Sequence, residues 1–89
     1  MLSTPVTASA SASARPTGCT QQIPNKQMTV AKCSKSNGGH YRAVAACKDP
    51  DDGRIWLFYG EWRNDANFST AYCGGATKVQ SAGLETKVS

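Results

Sequence analysis

"MTVAKCSKSNGGHYRAVAACK", residues 28–48, decides the fold. Its opening "MTVAKC" alternates apolar with polar residues, and "HYRAVAACK" does so more weakly through its alanines. Neither half shows the i, i+3, i+4, i+7 spacing of an amphipathic helix. Between them lies "SKSNGG", whose Asn37-Gly38 is a strong hairpin signal, because both residues tolerate the positive φ of a tight turn. Read as a hairpin, the stretch sorts its side chains by parity. The odd positions Thr29, Ala31, Cys33, Tyr41, Ala43, Ala45 and Cys47 carry no charge and hold two cysteines, so they are expected to face a core. The even positions Met28, Val30, Lys32, Arg42, Val44 and Lys48 make a mixed face that water tolerates.

The same pattern continues downstream. After the turn cluster "DPDDG" (49–53) comes "RIWLFYGEW" (54–62), aromatic and β-branched, then "NDAN", then "FSTAYC" (68–73). "TKVQSA" (77–82) and "LETKV" (84–88) read as two further strands. Short strands with turns every 8 to 12 residues define an all-β chain, a small antiparallel sandwich or barrel of about five to six strands. In "RIWLFYGEW", Ile55, Leu57 and Tyr59 oppose Trp56 and Phe58, and both sets are apolar. One reading is a central strand covered on both faces. The other leaves Trp56 or Phe58 outside, beside Val44 and Met28, as an aromatic binding patch. Gly60 marks a bulge or a close backbone approach. Trp62 is expected to be substantially buried, with Glu61 and Arg63 in solvent.

Upstream, the composition changes. "STPVTASASASARPTGC" (3–19) contains too few large apolar groups to fold, and its repeated Ala-Ser-Ala steps have the form of a signal-peptidase cleavage region. Neither a basic n-region nor an apolar h-region precedes it. The expectation is therefore a signal-peptide remnant, or an Ala/Ser-rich disordered segment, over residues 1–14. An extended arm follows over 15–27, with the β-domain over 28–89. Mature protein is expected to start near Arg15. No apolar run has the length of a membrane span, so a soluble, secreted, extracellular product is expected.

A folded part of roughly 70 residues is marginal without reinforcement. The four cysteines, Cys19, Cys33, Cys47 and Cys73, supply it as two disulfides. Their gaps lack the close pairs of a zinc site, and no metal or other cofactor is expected. With a turn at Asn37-Gly38, a direct Cys33–Cys47 bridge would strain the hairpin register. Of the three possible connectivities, the expected one is Cys19–Cys33 with Cys47–Cys73, tying the N-terminal segment to the first strand and the second strand to the fourth.

Charge is uneven. Residues 15–48 hold six basic and no acidic side chains, and residues 49–89 hold four basic and six acidic ones. Lys32, Arg42 and Lys48 fall on the expected outer face of one hairpin and form a local positive patch that would steer an anionic partner. Nucleic acid is not the expected partner, since no recognised binding motif accompanies the charge. Catalytic groups are sparse. His40, Arg42, Glu61 and Arg63 include the group types of a small ribonuclease, but there is no helix for the sheet to pack on, and no serine or zinc hydrolase motif occurs. The chain reads as a non-enzyme.

"GGHYRAVAACKDPDDGRIWLFYGEW" (38–62), followed by "STAYC" (69–73), resembles small secreted four-cysteine β-domain proteins of actinobacteria. In these, a strand ending in cysteine precedes a "YGxW" strand and an "S-x-A-x-C" strand. Proteins of this build include hydrolase inhibitors and the adaptor subunit of umbrella toxin particles. The resemblance implies a non-enzymatic interaction module whose partner is another secreted protein. Two alternatives stand beside an adaptor in an extracellular, toxin-like assembly. One is an inhibitor of a secreted protease or amylase, presenting "DPDDG" or "RNDAN" as a rigid loop. The other is a cell-wall or glycan-binding module that stacks sugar on Trp56 or Trp62. Trp56, Phe58, Trp62, Lys32, Arg42 and Lys48 are the candidate binding residues.

Overall fold

The computed structural model of the chain describes residues 15–89. The expectations for residues 1–14 lie outside that range. Six strands follow one another: β1 (Thr17–Asn25), β2 (Met28–Lys35), β3 (His40–Lys48), β4 (Ile55–Tyr59), β5 (Ser69–Tyr72) and β6 (Lys78–Lys87). They form two three-stranded antiparallel sheets, in the orders β1-β2-β5 and β4-β3-β6. The expected all-β sandwich is therefore present. Its six strands are not the six read from the sequence. One is gained at the start, and the two expected at the end are a single strand running through Gly83.

Residues 28–48 explain how the sheets are joined. Asn37 (φ 52°) and Gly38 (φ 83°) both adopt positive φ, and the Gly39 N–H donates to the Ser36 carbonyl, closing the expected type of turn. Yet β2 and β3 do not pair. They belong to different sheets, so the turn carries the chain from one layer to the other. The odd residues nevertheless all point inward. Thr29, Ala31, Cys33, Tyr41, Ala43, Ala45 and Cys47 are fully buried. Parity predicts the buried face correctly because two stacked sheets, like one hairpin, bury one side of every strand. The Thr29 hydroxyl donates across the layers to the Val44 carbonyl (3.2 Å).

Residues 15–27, expected as an arm outside the domain, are part of it. β1 lies along β2 as an edge strand, with Cys19 opposite Cys33, and Pro16 is buried. The Asn37 amide donates to the Arg15 carbonyl and the Thr17 hydroxyl, and the Arg15 guanidinium donates to Thr86. Pro24 hid this strand from a sequence reading, since proline is excluded from central strands. It is tolerated at an edge, next to the register shift between Gln22 and Asn25. The disulfides are Cys19–Cys33 within one sheet and Cys47–Cys73 between the two, as expected.

The core is small-grained. Ala31, Ala43, Ala45, Ala71 and Cys47 form its centre, flanked by Phe58, Cys73 and Leu84. Alanines bring the layers close, and no described side chain larger than Tyr41 is fully buried. The bulkier aromatics are displaced to the surface.

Candidate interaction surface

β4 is not the covered central strand of the first reading. It is the edge of its sheet, because the chain turns back after β3 and pairs only with it. Ile55 is 49 % exposed, Trp56 49 %, Leu57 54 % and Tyr59 46 %. Opposite Ala45, Phe58 points inward, half-buried against the core and Gly74. Trp56, opposite Cys47 on the same side, reaches past the core rim into solvent. The aromatic patch drawn from the sequence is therefore half right. Trp56 is exposed and Phe58 packs inward, while Met28 belongs to the other sheet.

The outward side of β4-β3-β6 carries Ile55, Leu57 and Tyr59 beside Lys48, Ala46 and Val44. Beyond β3 lie Ser81, Gly83 and Glu85 of β6. At one end of this apolar band, Arg42 is fixed on three sides. Its guanidinium bonds the Glu85 carboxylate (2.8 Å from Nε) and lies over the rings of Tyr59 (4.2 Å) and Trp62 (4.4 Å). The Lys87 ammonium lies over Trp62 at 4.4 Å.

Gly60 makes this cluster possible. Strict alternation would send Tyr59 and Trp62 to opposite faces. Instead, the Gly60 N–H bonds Ala43 and Arg63 pairs with Tyr41, so one extra residue bulges out between them. The Gly60 backbone also approaches the other sheet closely. A Cβ there would stand 2.4 Å from Ser69 Oγ and 2.6 Å from the Thr70 carbonyl. The bulge leaves the Ala43 N–H without a ladder partner. Ser69, from the opposite sheet, accepts it (3.0 Å) and donates to the Glu61 carbonyl (2.7 Å).

Trp62 is therefore only half-buried, and it lies on the outside under two cations rather than in the core as expected. Arg63, expected in solvent, is half-buried and forks between Glu61 (2.9 Å) and Asp65. Its hydrogen bonds to Arg63 and Asn67 hold the Asp65 carboxyl well below the usual carboxylate range, and the same partner raises Arg63. Burial, then the Asp65 charge, pushes the Tyr41 phenol up, and its hydroxyl donates to the Asn67 carbonyl. The 61–67 loop is thereby pinned from both ends, with Ala66 at φ 66° near its tip.

The expected single basic patch does not form. Because β2 and β3 lie in opposite layers, Lys32 is on the far side of the sandwich, over Phe68 (4.8 Å). Arg42 and Lys48 share the outer face of β3 but sit at its two ends. Of the four groups the ribonuclease reading named, Arg42 is bonded to Glu85 and Arg63 to Glu61. Glu85 and Lys87 were missed, since only the β3–β6 pairing brings Glu85 to Arg42 and Lys87 to Trp62.

All four cysteines are in disulfides. Among the described residues there is no enclosed pocket and no group of three metal-ligating side chains. No helix in them is long and apolar enough to cross a membrane. The fold defines the class, a disulfide-tied β-sandwich with one exposed apolar edge strand. Compared with models of known families, with curated proteins and with solved structures, the chain matches none.

Proposed function

We propose that the chain is a secreted, non-enzymatic protein-binding module that contacts its partner through the outer face of β4-β3-β6. One observation carries the reading. Arg42 is held between Tyr59, Trp62 and Glu85 at the end of an exposed apolar band of Leu57, Ile55 and Val44. Arginine, tyrosine and tryptophan are the residues that dominate protein-interface energetics. A guanidinium already fixed by two rings and a carboxylate loses little side-chain freedom on binding. The two disulfides fit an oxidising compartment, which supports secretion. The resemblance of residues 28–82 to small secreted four-cysteine β-domain proteins, a group that includes an adaptor subunit, supports a place in an extracellular assembly.

The inhibitor reading draws on a different feature, the 61–67 loop pinned by Arg63–Asp65 and Tyr41–Asn67. For the glycan reading, Trp62 is poorly suited as a stacking platform because cations lie over its ring. Trp56 is the more open ring. Affinity capture from the culture supernatant of the producing organism separates the three. Co-purification of a large assembly that Tyr59→Ala and Arg42→Ala abolish supports the proposal. Capture of a single hydrolase that depends on the 61–67 loop supports inhibition. Binding to insoluble peptidoglycan or chitin that Trp56→Ala abolishes supports a wall module. A partner retained in full by both outer-face variants refutes the proposed surface.

A further inference from the structure

Edge strands in soluble proteins are normally protected, by charge, by proline, by bulges or by cover. Three of the four edges here follow that rule. β1 carries Pro24 and a register shift, β6 carries Lys78, Glu85 and Lys87, and β5 is only four residues long. β4, "IWLFY", has no charge and no proline, and it is apolar on both faces.

The backbone geometry of that edge is determined. The Arg54 carbonyl accepts from Asp49 (2.8 Å), and the Gly60 N–H donates to Ala43 (2.9 Å). An antiparallel ladder alternates, so between these two bonds Trp56 and Phe58 turn their backbone groups toward β3. Ile55, Leu57 and Tyr59 turn theirs to the open side. Among the described residues no hydrogen bond reaches those groups from that side.

From this we infer that β4 pairs with the β4 of a second copy of the chain, antiparallel, about a two-fold axis at Leu57. Only this register matches all three outward-turned residues: Ile55 with Tyr59 of the other copy, Leu57 with its own equivalent, and Tyr59 with Ile55. Side chains match on both faces. On the outer face, aliphatic Ile55 meets aromatic Tyr59 and leucine meets leucine. On the inner face, the exposed Trp56 meets Phe58, which covers a tryptophan that the isolated sandwich leaves in water. No like charges meet along the strand. Just beyond it, Arg54 of one copy approaches Glu61 of the other, and both are largely exposed in the single chain. A different protein's strand would have to reproduce this complementarity, whereas a second copy supplies it by symmetry. The resulting six-stranded sheet sets two outer faces side by side.

Two five-residue strands make a small interface, so the dimer dissociates with Kd on the order of 100 μM. Sedimentation equilibrium of the intact disulfide-bonded protein should show reversible dimers at about 1 mM and monomers at about 1 μM. Leu57→Lys, which brings two ammonium groups together on the axis, should weaken association at least ~10-fold while leaving the far-ultraviolet spectrum unchanged. Register is read separately by cysteine cross-linking under mild oxidation. Leu57→Cys should link to itself, because paired Cα atoms lie roughly 5.5 Å apart. Ile55→Cys should not link to itself, its equivalent being about 13 Å away. A mixture of Ile55→Cys and Tyr59→Cys should link to each other. A protein that stays monomeric at about 1 mM, or one in which Ile55→Cys self-links and Leu57→Cys does not, overturns the inference. These experiments read self-association alone, so their failure leaves the proposed outer-face function standing.

Discussion

Ser69→Ala removes one oxygen atom and tests how the bulge at Gly60 is sustained. Ser69 Oγ accepts the Ala43 N–H at 3.0 Å and donates to the Glu61 carbonyl at 2.7 Å. Both Ser69 and Ala43 are fully buried, so water cannot replace the lost acceptor. An orphaned buried donor costs about 1–3 kcal/mol. The Glu61 carbonyl lies in an exposed residue and regains a water, adding at most ~0.5 kcal/mol. The expected loss is about 1–3.5 kcal/mol. For a domain of this size each kcal/mol lowers Tm by about 4–8 °C, so the drop is at least about 4 °C and near 10–20 °C for a loss in the middle of that range. Thermal and urea melts of the oxidised protein give both figures. Gly60→Ala provides the control. Its Cβ would also meet the Thr70 carbonyl at 2.6 Å, a backbone contact that removing Ser69 Oγ does not relieve. Gly60→Ala should therefore remain destabilising in the Ser69→Ala background. A Ser69→Ala protein that melts within about 2 °C of the parent would refute the argument, because it would mean the Ala43 N–H needs no partner from the other sheet.

The pinned loop predicts an acid response. Asp65 titrates below its unfolded value, so its contribution is complete above the ordinary carboxylate pKa of about 3.9 and is lost as pH falls through the folded pKa. Asp65→Asn should lower Tm at pH 7 and flatten the loss of Tm between about pH 4 and pH 2; an unchanged acid limb would show that Arg63 does not hold the loop. Trp62→Ala should cost about 2 kcal/mol, from half-burial and two exposed cation–π contacts, rather than the 3–5 kcal/mol of a core tryptophan; chemical denaturation distinguishes the two. Deleting residues 1–25 with Cys33→Ser strips β1 from β2 and should abolish the cooperative melt of the domain, and a melt that stays cooperative would show that β1 is dispensable. Non-reducing peptide mapping should recover Cys19–Cys33 and Cys47–Cys73 fragments, and a Cys33–Cys47 fragment would contradict that pairing.

Much of the fold was legible in local pattern. Alternation in residues 28–48 identified the buried odd residues of both strands, Thr29, Ala31, Cys33, Tyr41, Ala43, Ala45 and Cys47, and the turn residues at 37 and 38 adopt the positive φ their types allow. Strand periodicity and turn chemistry act over a few residues, so they survive whatever the distant chain does. The expected cysteine pairing is also the one found, Cys19–Cys33 within one sheet and Cys47–Cys73 between the two. Which strand lies beside which could not be read this way. A type I′-like turn is compatible with a hairpin and with a corner between layers, and the choice depends on β1 and β5 competing for the edges of β2. From that one decision came the division of Lys32 from Arg42 and Lys48, and the placement of β4 at an edge.

The sequence by itself determined that this chain is a disulfide-tied antiparallel β-domain, a sandwich or a barrel, and which side of β2 and β3 faces the core, since both depend on period-two alternation and cysteine separation. Only the tertiary structure decided that Arg42 meets Tyr59, Trp62 and Glu85, and that Lys87 covers the same Trp62 ring. Those residues come from β3, β4, β6 and the segment just after β4. They converge because long-range hydrogen-bonded pairing sets the register of β4 and β6 on β3, and because a one-residue bulge at Gly60, accommodated by Ser69 from the other sheet, turns Trp62 to the outer face.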